Sequence, residues 1–510
     1  MDGLTVGYLA EQNAAKYPDE PALVSLVGGE HESLTFAELN ERIDRVANAL
    51  AERGVSKDDP VGVYMLNNAE TIETYLGAMK LGARPVPVNH RFKAEEVSYV
   101  LADSGASVCV FDDFAADVIE DVRDDAQTGV ERWLHVSEQP RSFAEDYRAV
   151  RETASTDPVE VVPTRLDEAM LMYTSGTTGT PKGCRLTHDN IVQNSENSVY
   201  EAGFGSDERF LVVTPLFHVA AFALFVNTFY TGSTTYIMAD FEPERVVDVL
   251  ESEAITGSFM VPTMSRALLA VDDLESRDLS SFVHYMTGAA PSSEELKREI
   301  IETLECDLYD AFGQTEMSPV TTMLLPEDAL ERPDSIGKPV INVQLKVVDD
   351  DGERVERGAI GRAAYKGPTT FKGYHGLPER TAEVFDDGWF VSGDLVRRDE
   401  DGFVYFVGRA DDMIISGGEN IYPAEIEDVL FEHPAIDEVA VVGVPDETWG
   451  ERVKAAVVFE DGEHLSAEAI ADYVGEHLAG YKKPREVEVY ESLPRNPSGK
   501  VLRAELTAEE

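Results

Sequence analysis

The sequence has little cysteine and little positive charge. Its three cysteines, Cys109, Cys184 and Cys306, lie far apart in 510 residues and form no C-x-x-C pair. Neither a disulfide framework nor a cysteine-based zinc site is expected, and the three read as packing residues. Lys and Arg together number 43 against 97 Asp and Glu, a formal net charge of -54, so nucleic acid and anionic membranes are poor partners. No basic segment precedes the apolar residues of the N-terminal MDGLTVGYLAEQ, which argues against a secretory leader and fits a cytoplasmic location. Long apolar runs are missing as well. The longest apolar region, 212–230, is broken by Pro215, His218 and Asn227 and reads as a buried element rather than a membrane span.

What is present belongs to a folded protein. A hydrophobic content of 43% and an aromatic content of 9% exceed what an acidic disordered chain carries, and 510 residues are too many for one ordinary core, so two or more domains are expected. No acidic block dominates. The excess charge is spread along the chain, as in proteins from a salt-loaded cytoplasm, and the composition reads as a halophilic surface adaptation.

The periodicities predict an α/β fold. Leu34 to Gly54 reads as a helix with a Thr35–Glu38 capping box, a Leu34–Leu39 staple and a buried face of Phe36, Leu39, Ile43, Val46 and Leu50. Apolar runs at 61–66, 84–88 and 106–111 alternate with helical patterns at 70–81 and 94–102, the signature of βαβ units with a largely parallel sheet. The polar stretch 137–165 reads as a linker. A second α/β subdomain follows, with helices predicted at 188–202, 243–253 and 292–304 and strands at 210–213, 235–238 and 282–286. From 337 to 408 strands and D-G turns predict a small β-rich subdomain. The last hundred or so residues alternate β and α again, enough for a separate small α+β domain.

Between the apolar run Ala169–Met172 and Gly183 lies YTSGTTGTPKG. Its glycines let backbone N–H groups approach a ligand, its Ser and Thr hydroxyls add donors, and Lys182 adds a mobile positive charge, a composition suited to a polyphosphate. The commoner phosphate loop, G-x-x-x-x-G-K-S/T, does not fit, because Gly176 and Gly179 are too close together and Lys182 is followed by Gly183. A flexible surface linker needs neither the lysine after a proline nor the apolar strand before it.

Together with later strings, this stretch resembles the phosphate-binding loop of the adenylate-forming superfamily, which includes acyl-CoA and aryl-CoA ligases, luciferases and peptide-synthetase adenylation domains. The later strings are DAFGQTE at 310–316, WFVSGDL containing Asp394, VGRADD containing Arg409, IISGGEN, and PRNPSGKVLRAEL containing Lys500. The resemblance spans nearly the whole chain. It implies a large N-terminal domain, 1–410, of two α/β subdomains plus the β-rich one, and a mobile C-terminal domain, 411–510, with the hinge at Asp411.

The same resemblance implies roles. Thr174, Ser175, Gly176, Thr177, Thr178, Gly179, Thr180, Pro181 and Lys182 bind the ATP phosphates; Gly288, Ala289 and Ala290 lie against adenine. Asp310, Ala311, Phe312, Gly313, Gln314 and Thr315 hold the adenylate, with Thr315 at the α-phosphate, and Glu316 with Thr174 takes Mg²⁺. Most relatives have tyrosine where Phe312 stands, and phenylalanine keeps the stacking surface while losing the hydroxyl. Asp394 and Arg409 hold the ribose hydroxyls, and Gly417 and Gly418 leave room for the pantetheine arm of CoA. Lys500, with Lys182, Thr315 and Glu316, forms the catalytic set. His218, beside Phe217 and Val219, sits at the entrance of the acyl pocket, with Phe222 and Met317 as further apolar candidates.

The resemblance therefore implies an acid–CoA ligase: a carboxylate attacks ATP to give an acyl-adenylate and pyrophosphate, and the CoA thiol then displaces AMP. An aliphatic acid is expected first and an aryl acid second, and a homodimer is compatible with the family. Amino-acid-activating relatives place an aspartate near Pro215–Val219, where this chain has none, which counts against a free-standing amino-acid adenylation domain. Retention of both Glu316 and Lys500 counts against a nonenzymatic nucleotide binder.

The charge of -54 generates a prediction of its own. About 1 M salt shortens the Debye length to about 3 Å, so molar KCl should raise the melting temperature or the activity above that in dilute buffer. Full stability and activity in dilute buffer, with no gain from salt, would contradict the salt-adapted reading.

Overall fold

The computed structural model describes residues 4–28, 31–125, 127–174, 181–290, 292–416, 419–446, 448–460, 462–495 and 501–507. The chain divides into two compact units, the first formed by 1–332, 336–344 and 365–390, the second by 333–335, 345–364 and 391–510. The α/β class expected from the periodicities is what the chain adopts.

The first unit carries two large sheets. In one, the parallel strands Arg84–Pro87, Pro60–Tyr64, Val108–Asp112 and Arg132–Val136 lie side by side, with the short Glu145–Asp146 at the edge. The other has nine strands and a parallel centre: Asp307–Gly313, His284–Gly288, Gly257–Phe259, Arg209–Val212, Thr234–Ile237 and Pro21–Ser25. Most residues of these central strands are buried, as expected of a parallel sheet covered on both faces. Antiparallel strands close each edge: Val320–Leu324 and Lys338–Pro339 at one, Glu32–Thr35 at the other.

Local signals work as the sequence predicts. Helix Phe36–Glu52 starts at Thr35, whose hydroxyl accepts from the Glu38 amide at 3.2 Å while the Glu38 carboxylate accepts from the Thr35 amide at 2.9 Å. Its predicted apolar face is buried, at about 1.5–3 kcal/mol per large side chain. Helices Ala69–Leu81, Ala94–Ser104, His188–Ala202, Pro243–Ser252 and Glu294–Leu304 fall within two residues of their predicted bounds. The broken apolar region at 212–230 becomes a strand end followed by helix Val219–Thr231. No helix among the described residues is long and apolar enough to cross a membrane, and all three cysteines are free and buried.

One expectation is corrected. The stretch read as a linker, 137–165, contains helix Tyr147–Thr153, with Tyr147 and Arg151 buried. Its inward face combines the Tyr147 ring with paired charge: Arg151 donates to the fully buried Glu73 at 2.7 Å, and Arg42 meets the same carboxylate at 3.1 Å. A helix that buries charge by pairing it leaves no hydrophobic period to read.

The second unit is built on the long antiparallel pair Ile436–Asp446 and Gly450–Phe459. Strand Glu486–Val489 runs parallel to the second of these. Helices Pro423–Phe431 and Ala467–His477 cover one face over a core of Ile426, Leu430, Val441, Val457, Ile470 and Val474. The 337–408 segment is made of short strands and turns, as expected, and its residues are shared between the two units. Asp411 lies in the one-turn 3-10 helix Ala410–Asp412, inside the second unit.

His188 couples the N-terminal helix of the first unit to its interior. The side chain is fully buried, and its Nδ1 accepts from the Val6 amide at 3.3 Å. Burial pushes its pKa down from 6.5 to about 4, against the raising field of Asp167. The stability that depends on neutral His188 is complete above pH 6.5 and is lost as pH falls toward 4, amounting to about 2 kcal/mol at pH 5. Urea midpoints at pH 7 and pH 5 should therefore differ more for the wild type than for His188→Gln. Equal differences would show that His188 carries no such linkage.

Candidate functional site

The hydroxyl- and glycine-rich stretch is bracketed by two antiparallel strands, Glu168–Thr174 and Lys182–Thr187, with Thr174 opposite Lys182. Of the predicted phosphate residues, Thr174, Pro181 and Lys182 are described; Ser175, Gly176, Thr177, Thr178, Gly179 and Thr180 lie outside the described residues. Tyr173 and Pro181 tie the pair to helix Ala94–Ser104: the Tyr173 hydroxyl donates to Asp103 at 2.7 Å and the Tyr99 hydroxyl to the Pro181 carbonyl at 3.1 Å. At the far end Glu168 meets Arg84 at 2.8 Å, Arg185 at 3.4 Å and Lys372 at 3.6 Å.

A third extended segment, 371–375, runs along Lys182–Thr187. The Arg185 amide donates to Gly373 O at 3.1 Å, Lys372 N to Arg185 O at 3.0 Å and His375 N to Gly183 O at 2.7 Å, which sets Tyr374 beside Cys184. From there the Tyr374 hydroxyl donates to Glu316 Oε1 at 2.8 Å, and Lys182 Nζ lies 5.7 Å from the centroid of the Tyr374 ring. Burial raises the Cys184 thiol far above its ordinary pKa, with a further push from the Glu316 charge, while a hydrogen bond with Thr174 and the Lys182 charge act the other way. Thr174, Lys182, Glu316, Tyr374 and Cys184 thus form one cluster. Sequence reasoning found the first three and missed Tyr374, whose only signal was its glycine-flanked setting KGYHG.

Glu316 sits on the 3-10 turn Thr315–Met317, just beyond strand Asp307–Gly313. The strand takes in the first residues of DAFGQTE. Phe371 N donates to Glu316 O at 2.9 Å, and the Thr321 hydroxyl to Phe312 O at 3.1 Å, so both ends of the motif are pinned. Two glycines are required here. A Cβ on Gly288, at φ 152°, would lie 2.1 Å from the Ala311 carbonyl oxygen, and one on Gly313 would lie 2.0 Å from that of Pro319. Only glycine allows strand 284–288 to approach strand 307–313, and the end of strand 307–313 to approach Pro319, this closely. Ala289 follows at φ 65°, and Ala289 and Ala290 are exposed. Asp310 points elsewhere: its carboxylate pairs with the buried Lys297 at 2.8 Å.

His218 caps helix Val219–Thr231 and is half-buried, as are Phe217 and Val219; Phe222 and Met317 are fully buried. The Phe217 and His218 rings are 4.3 Å apart, and His90 stands edge-on to Phe217 at 5.0 Å and to the exposed Phe114 at 5.8 Å. Burial holds His218 down at about 4, and the neighbouring His90 and Arg91 push the same way, so the imidazole is neutral at pH 7. His90 is depressed by its own burial as well. No sequence signal marked His90, because it follows the strand Arg84–Pro87 and meets Phe217 only through the fold.

The turn that presents His218 is held by Asn67. This buried amide donates to Thr214 O at 2.9 Å and accepts from Leu216 N at 2.7 Å. Its neighbours are anchored in turn by Asp112, which accepts from Leu66 N at 2.9 Å and from Asn68 Nδ2 at 3.4 Å. Burial pushes Asp112 up to about 6 despite those bonds.

In the second unit Asp394 and Arg409 face each other across adjacent antiparallel strands, with Nη1 2.7 Å from Oδ1. Asp394 is buried and Arg409 half-buried. Gly417, Gly418 and Lys500 lie outside the described residues.

Residues 10–375 match the model of the AMP-binding enzyme family, and residues 425–500 that of the AMP-binding enzyme C-terminal domain. The chain belongs to this family. The AMP-binding enzyme is 38% identical to a feruloyl-CoA synthase of an Amycolatopsis species over 476 residues, 93% of each chain. It is 35% identical to a long-chain-fatty-acid–CoA ligase of Mycobacterium tuberculosis over 503 residues, covering 98% of this chain and 97% of the relative. Among solved structures, the o-succinylbenzoate CoA synthetase of Bacillus subtilis with its acyl-adenylate intermediate superposes with a TM-score of 0.87 at 31% identity, over 98% of both chains. A fatty acyl CoA synthetase of Mycobacterium tuberculosis gives 0.81 at 34%, over 99% of this chain and 97% of the other. The membership expected from the loop and the later strings is therefore correct.

Truncating Asn67 should loosen the His218 turn. Asn67→Ala leaves two backbone groups without their partner, at about 1–3 kcal/mol each, and admits water beside His218. Its imidazole, which burial holds down at about 4, should then titrate measurably higher than in the wild type when its resonance is followed against pH. An unchanged midpoint in a folded variant would show that Asn67 does not set the surroundings of His218.

Proposed function

We propose that this AMP-forming acid–CoA ligase activates an apolar monocarboxylic acid, aliphatic in the first instance, with an aryl acid as the second reading. The observation that carries the chemistry is the convergence of Lys182, Thr174 and Glu316 around the neighbouring Tyr374 and Cys184. A cation, a hydroxyl and a carboxylate gathered where two strands bracket a hydroxyl- and glycine-rich stretch suit a polyphosphate and a divalent ion. The apolar acid is supported by the entrance itself, where His218 is neutral at pH 7 and residues 215–219 carry no carboxylate for a substrate ammonium. The aryl reading is favoured by the edge-to-face series His90, Phe217, His218, a geometry that receives another ring readily, and by the feruloyl-CoA relative.

Lys182 and the hydroxyls of 174–180 hold the triphosphate. Adenine lies over Gly288, Ala289 and Ala290 with Phe312 against it, and Thr315 donates to the α-phosphate. Asp394 accepts and Arg409 donates at the ribose hydroxyls. Mg²⁺ takes one or two carboxylates from a protein and completes its shell with water and phosphate oxygens, so the Glu316 carboxylate and the Thr174 hydroxyl fit it. When bound it offsets repulsion between the triphosphate and the incoming carboxylate and eases departure of pyrophosphate. Lys500 supplies positive charge at the carboxylate and α-phosphate as the mixed anhydride forms. Gly417 and Gly418 leave a path for the CoA thiol, and rotation about Asp411 exchanges the two functions.

Two half-reactions on one small domain give a sharp test. With a fatty acid, ATP, Mg²⁺ and CoA, the products should be AMP, pyrophosphate and the acyl thioester; ADP and phosphate would refute the reading. Lys500→Ala should lower acid-dependent pyrophosphate exchange about 10²-fold or more while sparing transfer from a preformed acyl-adenylate to CoA. Gly418→Trp should do the reverse. Equal losses in both half-reactions for both variants would exclude the alternating arrangement.

A further inference from the structure

Three rings that the sequence places far apart meet beside His218. Phe114 follows the carboxyl end of strand Val108–Asp112, His90 that of Arg84–Pro87 and Phe217 that of Arg209–Val212. The His90 ring stands edge-on to both others, at 5.8 Å and 85° to Phe114 and at 5.0 Å and 84° to Phe217, and the Phe217 ring lies in turn 4.3 Å from that of His218. The row runs from an exposed ring, Phe114, to half-buried ones. Ligands of open parallel sheets lie beyond the carboxyl ends of the strands, which is where these rings gather.

The middle ring sits on an anchored turn. The buried Tyr64 hydroxyl, from the neighbouring strand, donates to Phe92 O at 3.0 Å and lies 3.3 Å from His90 O. Asn89 closes the same turn, accepting from Arg91 N at Oδ1 at 2.9 Å and from Phe92 N at its carbonyl at 3.0 Å. Asp112 fixes the turn that carries Phe114 by accepting from Ala115 N at 3.3 Å. Phe217 is thus wedged between a ring tied to the first sheet and the His218 ring that caps its own helix.

We propose that His90 is a positioning residue that determines acid specificity through Phe217: its fixed ring edge keeps Phe217 against His218 and so limits the breadth of the acid admitted there. Straight-chain and flat aryl acids are slim enough to lie along a wedged ring, whereas acids caged or heavily branched next to the carboxylate are not. Removing the imidazole leaves Phe217 a space to swing into, which widens the entrance without touching the residues assigned to the nucleotide. An edge-to-face ring pair corresponds to about 2- to 10-fold in an equilibrium, so a several-fold change in selectivity is the expected scale. The inference rests on the reading that residues 217–219 border the acid.

The test is a ratio of kcat/KM values, measured by acid-dependent pyrophosphate exchange so that CoA plays no part. The numerator is a caged acid, adamantanecarboxylate, and the denominator whichever of decanoate and benzoate the wild type uses better. His90→Ala should raise this ratio about 5-fold or more. His90→Phe, which restores a ring edge, should return it to within about 2-fold of the wild type, a rescue that general loosening of the fold would not give. Phe114→Ala, at an exposed position, frees the outer side of His90 and should raise the ratio less; it carries the test should His90→Ala fail to fold. An unchanged ratio in folded His90→Ala, or in Phe114→Ala standing in for it, would overturn the inference, as would a His90→Phe that restores nothing. Phe217→Ala separates the two levels. A ratio moved by Phe217→Ala and not by the other variants removes His90 from acid selection and leaves the entrance where it is, whereas a ratio moved by none of them overturns the entrance as well. No exchange with either slim acid in the folded wild type would overturn both the inference and the apolar-acid reading beneath it.

Discussion

The candidate site depends on one short run of backbone hydrogen bonds, the pairing of 371–375 with the strand Lys182–Thr187. That pairing joins segments nearly two hundred residues apart in sequence and sets Tyr374 beside Cys184. Everything charged in the cluster is referred to it. Glu316 is held at its carbonyl by Phe371 N and at its carboxylate by the Tyr374 hydroxyl, both from the same run. Lys182 is the first residue of the strand that the run flanks. Backbone pairing has little freedom to slip when side chains on one face are buried, and Phe371 and Tyr374 are both buried. Rigidity supplied in this way costs no side-chain entropy at the moment a ligand binds, which is what preorganisation requires.

The acyl side is held by different means. The turn between strand Arg209–Val212 and helix Val219–Thr231 is bound by the Asn67 amide, with one donated and one accepted bond. The carboxamide can satisfy a carbonyl and an N–H together, whereas a carboxylate only accepts and an ammonium only donates. Its own loop is fixed by Asp112 at the end of a neighbouring parallel strand, so the entrance is referred to the first sheet while its far wall belongs to the second. A pocket placed where two sheets and their connecting loops meet can change its lining without disturbing the phosphate cluster. Relatives sharing one fold and adenylate chemistry while acting on feruloyl or long-chain acyl groups are consistent with that division.

Much of this was legible in the sequence because it was local. The capping box at Thr35 and Glu38, the helix beginning at His188 and the alternation of strands and helices before 112 needed only periodicity and end signals, and they stand where expected. The strings around Lys182 and Glu316 were legible as composition. The partnerships that give those strings a geometry were not. Tyr374 meets Glu316 across 58 residues and Asn67 meets Leu216 across 149, and no propensity or spacing rule reaches so far. Helix Tyr147–Thr153 was hidden for another reason: its buried residues are one tyrosine and one arginine paired with Glu73, so the apolar period that marks a packed helix was absent. Asp310 illustrates a third limit. Its place at the head of the adenylate motif gave no hint that its carboxylate turns inward to Lys297.

A chain with a formal charge of -54 must still attract a triphosphate and CoA. The distribution around the phosphate strands addresses this. Glu168 is shared by Arg84, Arg185 and Lys372, three cations against one carboxylate, a local surplus of two positive charges at the base of the strand pair. Lys182 adds a positive charge at the other end, set against the Glu316 carboxylate of the same cluster. Asp310, which would otherwise place a negative charge near the nucleotide motif, is neutralised by Lys297, and both are largely removed from water. At long range salt screens the acidic surface, because opposing charges beyond a Debye length, roughly 10 Å at 0.1 M and about 3 Å at 1 M, hardly interact. At contact range the paired and partly buried charges are screened much less. High salt would therefore mute the repulsion that keeps an anion away while sparing the short-range attraction that holds it. Within such a protein, the small positive surplus behind Thr174 and Lys182 can govern binding even though the surface as a whole opposes it.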